Sequence, residues 1–235
     1  MLTPSSRFEI LRPHTEIHNT SHMRTKTLLL TAALAAAGAA SAMAQNVYSV
    51  NAVGYVNKAI LPGFNMIHNP LKVADNSLQA VIPTAPDQTA VYTFAGGSFS
   101  APYTYYTDLG GWDPPGGAFT FGDGIFLFAP SGFTVTFVGE VDQGAPIHNP
   151  YPAGFSIKGS RVPQQGTLTA LGLAAPADNT AVYPYNAGTQ AYDGPFTYYT
   201  DLGGWDPVDP TIGIADAFWI NAPAASDWTR TFSVN

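Results

Sequence analysis

The chain has 235 residues, no cysteine and a formal net charge of −7, which becomes fourteen acids against five bases from Gln45 onward. The missing thiols exclude a disulfide-stapled scaffold, a cysteine nucleophile and a lipid-anchored N-terminal cysteine. The acidic balance excludes a nucleic-acid partner, because phosphate binding needs clustered Lys and Arg.

Three features stand at the start of the chain. Arg24 and Lys26 form a short basic region, Leu28 to Ala40 is apolar but too short to span a bilayer, and Ala42-Met43-Ala44 has the small-x-small pattern of a cleavage site. Residues 23–44 therefore read as a signal peptide with Gln45 as the mature N-terminus. Residues 1–22 read as an upstream extension from a start codon placed too early. His14, His18 and His22 fall in that extension and make a weak case for a metal-binding tail. No later run is long enough for a transmembrane helix, so the expectation is an exported protein, extracellular, at the cell surface or periplasmic.

From Gln45 the acids are thirteen Asp and one Glu, and Tyr, Phe, Val and Thr are plentiful among frequent Gly and Pro. Asp favours turns and Glu favours helices, so this is all-β composition. The run Thr104 to Pro114 recurs unchanged as Thr197 to Pro207, 93 residues later. An identical undecapeptide containing Trp marks an internal duplication, with repeat 1 at 45–143 and repeat 2 at 144–235. Other matches support it: Pro62-Gly63-Phe64 with Ala153-Gly154-Phe155, Thr89 to Tyr92 with Thr180 to Tyr183, and Gly122 to Phe126 with Ala215 to Trp219. Val53-Gly54-Tyr55-Val56 also resembles Val138-Gly139-Glu140-Val141.

Within one unit, Phe64 to Ile67 is expected as a strand, and Ser77 to Val81 as one helical turn capped by Asn76. Ala90 to Phe94 and Ser98 to Ala101 form a hairpin about Gly96-Gly97. Tyr103 to Thr107 is a strand broken by Gly110-Gly111. Gly124 to Phe128 is nearly all apolar and reads as a strand buried on both faces. Thr134 to Val138 alternates and closes the unit, as Thr231 to Val234 closes the second. Many short strands at this spacing predict two tandem β-sandwich or small-barrel modules. Ala215 and Ala217 stand where repeat 1 has Gly122 and Gly124, which predicts glycines chosen for close packing rather than for positive φ.

The mature start, Val47 to Val56, resembles a group of secreted repeat proteins of the verrucomicrobial bacteria. In these a YSxNxVGYV opening precedes two copies of a module. The matching motifs here are Gly63 to Leu71, Val91 to Gly96, Gly111-Trp112, Gly122 to Phe126 and Thr136 to Val141. The likeness covers the whole mature chain. It implies tandem β-modules, and it brings no assigned activity and no catalytic residues.

The repeated loop is the leading candidate site: Tyr105, Tyr106, Asp108, Trp112 and Asp113 in repeat 1, and Tyr198, Tyr199, Asp201, Trp205 and Asp206 in repeat 2. A Trp beside a Gly-Gly turn can offer a flat apolar face, and flanking carboxylates can accept hydroxyl hydrogen bonds. That is the chemistry of sugar recognition, with two copies giving avidity. The competing reading makes both tryptophans core plugs. The four aspartates are too few for Ca²⁺ without backbone help. His68-Asn69-Pro70 and His148-Asn149-Pro150 look repeated, yet His68 aligns with Gly159. No Gly-x-Ser-x-Gly elbow is present, and Glu140 is the only Glu of the mature chain, so no catalytic site is expected. The sequence thus predicts a non-catalytic structural or adhesive protein without cofactor or bound metal. Polysaccharide or its own sheet edges are the expected partners, carbohydrate binding is the alternative and hydrolysis the last choice.

Overall fold

The structure, a computed structural model, describes residues 52–234. The readings of residues 1–22, with their histidines, as an upstream extension and of residues 23–44 as a signal peptide fall outside the described residues, as does the first part of the opening motif. Repeat 1 contains β1 (Val53–Ile60), β2 (Gly63–Ile67), the helical turn α1 (Leu78–Val81), β3 (Ala90–Ala95), β4 (Ser98–Phe99), β5 (Tyr103–Tyr106), β6 (Gly111–Asp113), β7 (Ile125–Ala129) and β8 (Phe133–Glu140). Repeat 2 contains β9 (Gly144–Tyr151), β10 (Gly154–Gly159), β11 (Gly166–Thr167), β12 (Thr180–Asn186) and β13 (Ala191–Tyr192). It continues with β14 (Phe196–Tyr199), β15 (Gly204–Asp206), β16 (Thr211–Ile212), β17 (Ala217–Ala222) and β18 (Ser226–Phe232).

The strands build two matching antiparallel sheets, in the orders β2-β7-β3-β5-β6 and β10-β17-β12-β14-β15, with β4 and β13 added to β3 and β12. Two ribbons, β1-β8 and β9-β18, and a short β11-β16 pair complete the described ladders. The chain is all-β, built of two tandem modules, and none of these sheets closes into a barrel. In each module the main sheet packs on its ribbon. The core of repeat 1 joins Ile60, Val135 and Phe137 of the ribbon to Val91, Ile125 and Leu127 of the sheet. That of repeat 2 joins Tyr151 and Trp228 to Val182, Phe218 and Ile220.

Pairing also settles which strands correspond. Gly54 and Tyr55 lie opposite Gly139 and Val138 in the β1-β8 ladder. The two Val-Gly stretches are therefore partners within one ribbon, and the repeat-2 counterpart of β1 is β9. Both glycines admit the segment after β2: a Cβ on Gly139 would sit 2.6 Å from the Lys72 carbonyl, and one on Gly54 would overlap Leu71. Lys72 and Glu140 exchange backbone hydrogen bonds there at 2.8 Å.

Three further expectations are corrected. Ser77 rather than Asn76 caps α1, its Oγ accepting from the Ala80 N–H at 3.2 Å. β7 is buried on one face only, through Ile125, Leu127 and Ala129, while Phe126 and Phe128 remain half-buried. The glycines before β7 have two different reasons. Gly122 has φ of 93° and its counterpart Ala215 has 63°, so this turn does demand the left-handed region. Gly124 instead answers to packing, because a Cβ there would lie 2.5 Å from that of Ala217.

The two modules meet along a seam with approximate two-fold symmetry. Ile67 bridges Asp216 and its counterpart Lys158 bridges Asp123. His68 N–H donates to Ala215 O, and Gly159 N–H donates to Gly122 O, each at 3.1 Å. Each repeat thereby covers part of the edge strand, β2 or β10, of the other, which is how an isologous interface behaves. Between the module cores, Met66, Ile157 and Ala217 form a small third core.

Candidate functional site

The repeated loop folds alike in both copies, as the hairpins β5-β6 and β14-β15. Asp87 accepts from Thr107 N–H at 2.9 Å and Asp178 from Thr200 N–H at 2.8 Å. Asp108 and Asp201 each accept from the next residue, Leu109 or Leu202, at 3.0 Å. Gly110 and Gly203 both turn the chain at φ of 61°. The tryptophans do not stand out of the surface. Trp112 is 7% exposed and Trp205 8%, each packed edge-on against Tyr105 or Tyr198 at 5.5 and 5.6 Å between centroids. A ring enclosed on both faces has none to lay on a sugar, so the expected stacking platform is absent from these loops. Tyr106 and Tyr199 are half-buried, and Asp108, Asp113, Asp201 and Asp206 are exposed at the rim. Among the described residues no group of three or more His, Asp or Glu is placed to hold a metal ion.

The aromatic surface lies elsewhere. Phe64, Tyr92, Phe94, Phe99, Phe126 and Phe128 of repeat 1 link by ring contacts to Phe155, Tyr183, Tyr185, Tyr192 and Trp219 of repeat 2. These rings occupy the face of each main sheet turned away from its module core. Register explains the assembly: Met66, Phe126 and Tyr92 stand side by side across three strands, and so do Ile157, Trp219 and Tyr183. Trp219 bridges the modules, with its ring centroid 4.6 Å from that of Phe94 and its Nε1–H donating to the Tyr192 hydroxyl at 3.0 Å. A cleft of about 430 Å³ opens here between Phe94, Phe99, Phe155, Tyr183, Tyr192 and Trp219. Phe99, Phe155 and Tyr192 are each nearly half exposed. The sequence signal for this face was an alternation, Tyr92/Phe94, Phe126/Phe128 and Tyr183/Tyr185, each set interleaved with the residues that face the module core.

Beside the aromatic face a second, polar hollow of about 310 Å³ lies between Lys58, Asn65 and Leu61 of repeat 1 and Tyr185, Asn186, Asp193 and Asp216 of repeat 2. Lys58 Nζ donates to Asp216 there. Burial, with Tyr192 adding to it, pushes the Tyr185 phenol above its ordinary value. The β12-β13 turn forms part of the hollow's wall through Asn186, Ala187 and Gly188. Gln190 at its end donates to Phe64 O at 2.9 Å and accepts from Phe64 N–H at 2.7 Å, imitating a ladder partner for β2.

The two histidines of the described chain do different things. His148 is exposed and paired with Asp227. His68 is wholly buried at the seam, its Nε2–H donating to Ser160 O at 2.8 Å and its Nδ1 without a partner. Desolvation lowers its pKa to about 4, against the opposing pull of the Ser160 carbonyl and Asp216. The ring occupies the space a Cβ on Gly159 would need. Two counterpart positions that meet near a two-fold axis cannot both be large, which is why His68 aligned with a glycine.

Compared with protein-family models, with curated proteins and with solved structures, the chain matches none.

Proposed function

We propose that this chain is an exported, non-catalytic structural or adhesive protein, and that the aromatic face across the seam is its contact surface. The observation that carries the reading is the continuity of that face. Eleven rings drawn from both repeats form one network while Phe99, Phe155 and Tyr192 remain nearly half exposed. An apolar surface of this kind is unfavourable in water unless something covers it. Export is supported by the basic, apolar and Ala-Met-Ala sequence of residues 24–44. A surface or matrix role fits the acidic balance, which keeps the protein away from nucleic acid. Kinship with the verrucomicrobial secreted repeat proteins belongs to the same proposal.

Two measurements test it. Mass spectrometry of the exported product should find Gln45 at its N-terminus. Adsorption to phenyl-coated and envelope-coated sensor surfaces should fall at least fivefold in a Phe99→Ser/Phe155→Ser/Tyr192→Ser variant that keeps its circular dichroism. Equal adsorption by that variant would remove the aromatic face from the function.

A further inference from the structure

We infer that the polar hollow at the seam is a binding site for a neutral saccharide, with Tyr185 as its apolar wall and Asp193, Asn186, Thr211 and Lys58 as its hydrogen-bonding groups. The inference rests on the adhesive reading above and names what the surface adheres to.

The chemistry of the lining selects the ligand class. Lys58 Nζ is already engaged by Asp216, so the hollow offers no uncompensated cation for a phosphate or carboxylate. Pairing with that ammonium also makes Asp216 a poorer ligand for a divalent ion. What remains is mixed. The Asp193 carboxylate has no partner among the described residues and supplies acceptors. The Asn186 amide keeps its Nδ2 donors while its Oδ1 accepts from Gly188 and Thr189 N–H at 3.0 and 3.2 Å. Thr211, exposed on β16, contributes a hydroxyl that both donates and accepts. Donors and acceptors side by side, beside an aromatic ring, match a polyhydroxylated ring better than any ion. A volume of about 310 Å³ stands at the small end of ligand pockets and suits one or two sugar units. Tyr185 also belongs to the aromatic network through Phe126 and Tyr192, so a longer glycan leaving the hollow would pass onto that face.

The site is a product of the duplication. The residues that close it come from both repeats, and Gln190 holds the repeat-2 turn against Phe64 of repeat 1. The counterpart of Lys58 in repeat 2 is Asn149, whose amide donates instead to Gly159 O at 2.9 Å. The two halves of the seam therefore differ in chemistry although they share a fold.

The test is calorimetric titration of the whole protein with cellotetraose, xylotetraose, maltotetraose, mannotetraose, laminaritetraose and chitotetraose, with calcium chloride, inorganic phosphate and tetragalacturonate as ionic controls. At least one neutral tetrasaccharide should bind. Asp193→Ala should weaken it tenfold or more and Thr211→Val a few-fold, with the melting temperature unchanged. Both variants should still adsorb to phenyl-coated surfaces. Binding to none of the neutral sugars, binding of the ionic controls alone, or neutral-sugar binding indifferent to both substitutions would overturn the inference. If adsorption still depends on Phe99, Phe155 and Tyr192, the adhesive reading survives that failure. If it does not, the adhesive reading falls by itself.

Discussion

In repeat 1 the hairpin after β3 turns at once through Gly96 and Gly97, both with positive φ, and stays within its own sheet. In repeat 2 the corresponding hairpin continues through Ala187 to Gln190 and reaches the edge of the other module. The repeats differ again behind the sheet. Trp112 Nε1–H donates to Ile82 O at 2.9 Å, whereas Trp205 Nε1 has no partner. In the second repeat Trp228 stands on β18 where β8 carries Val135, and its own Nε1–H takes the Leu171 carbonyl at 2.9 Å. One fold used twice thus tolerates divergence in the turns that meet its twin and in the polar details of each core. The eleven-residue loop between them stays identical.

The two repeats constrain one another most strongly at the seam. His68 is neutral in the folded chain and takes up a proton more readily when unfolded, since its pKa falls from 6.5 to about 4 on burial. Its penalty is absent above pH 6.5, grows as pH drops through the window between those values and is complete below about 4. The expected loss is about 3 kcal/mol of stability, read from urea midpoints across pH. His68→Gln should flatten that part of the profile; an unchanged slope would show that other groups cause it.

Gly159→Ala should cost about 1–3 kcal/mol by overpacking against the His68 ring. Combination with His68→Ala should recover a large part of the loss in a double-mutant cycle. Additive effects would mean the two positions do not compete for one space.

The tryptophans give a smaller contrast. Trp112→Phe should cost about 1 kcal/mol more than Trp205→Phe, because only the first breaks a buried hydrogen bond and leaves a carbonyl unpaired. Equal losses in denaturant melts would indicate that Trp205 finds a partner after all.

At the tips of the identical hairpins, Leu109 is 66% exposed and Leu202 65%. Replacing either by Ala should change stability by less than about 0.5 kcal/mol. A larger effect in one copy alone would reveal a packing role the two do not share.

The duplication, the all-β class, the hairpin at Gly96-Gly97 and the closing strand of repeat 1 were legible in the sequence, because period-two alternation and turn chemistry are local, whereas the closing strand of repeat 2, expected over Thr231 to Val234, lies earlier, at Ser226–Phe232. The sequence also left the correct alternative open for Trp112 and Trp205, whose burial no pattern of eleven residues can decide. Tertiary structure decided what each strand face meets. Phe126 and Phe128 looked like part of a doubly buried strand, yet their side of the sheet turns to the seam and to solvent. Alternation says that two faces differ; only the packing of a second module says which face is covered and by what. The choice of His68 against Gly159 and the reach of Gln190 belong to the same class. Each is fixed by a contact between positions about 90 residues or more apart in the chain, a distance over which local propensity carries no information.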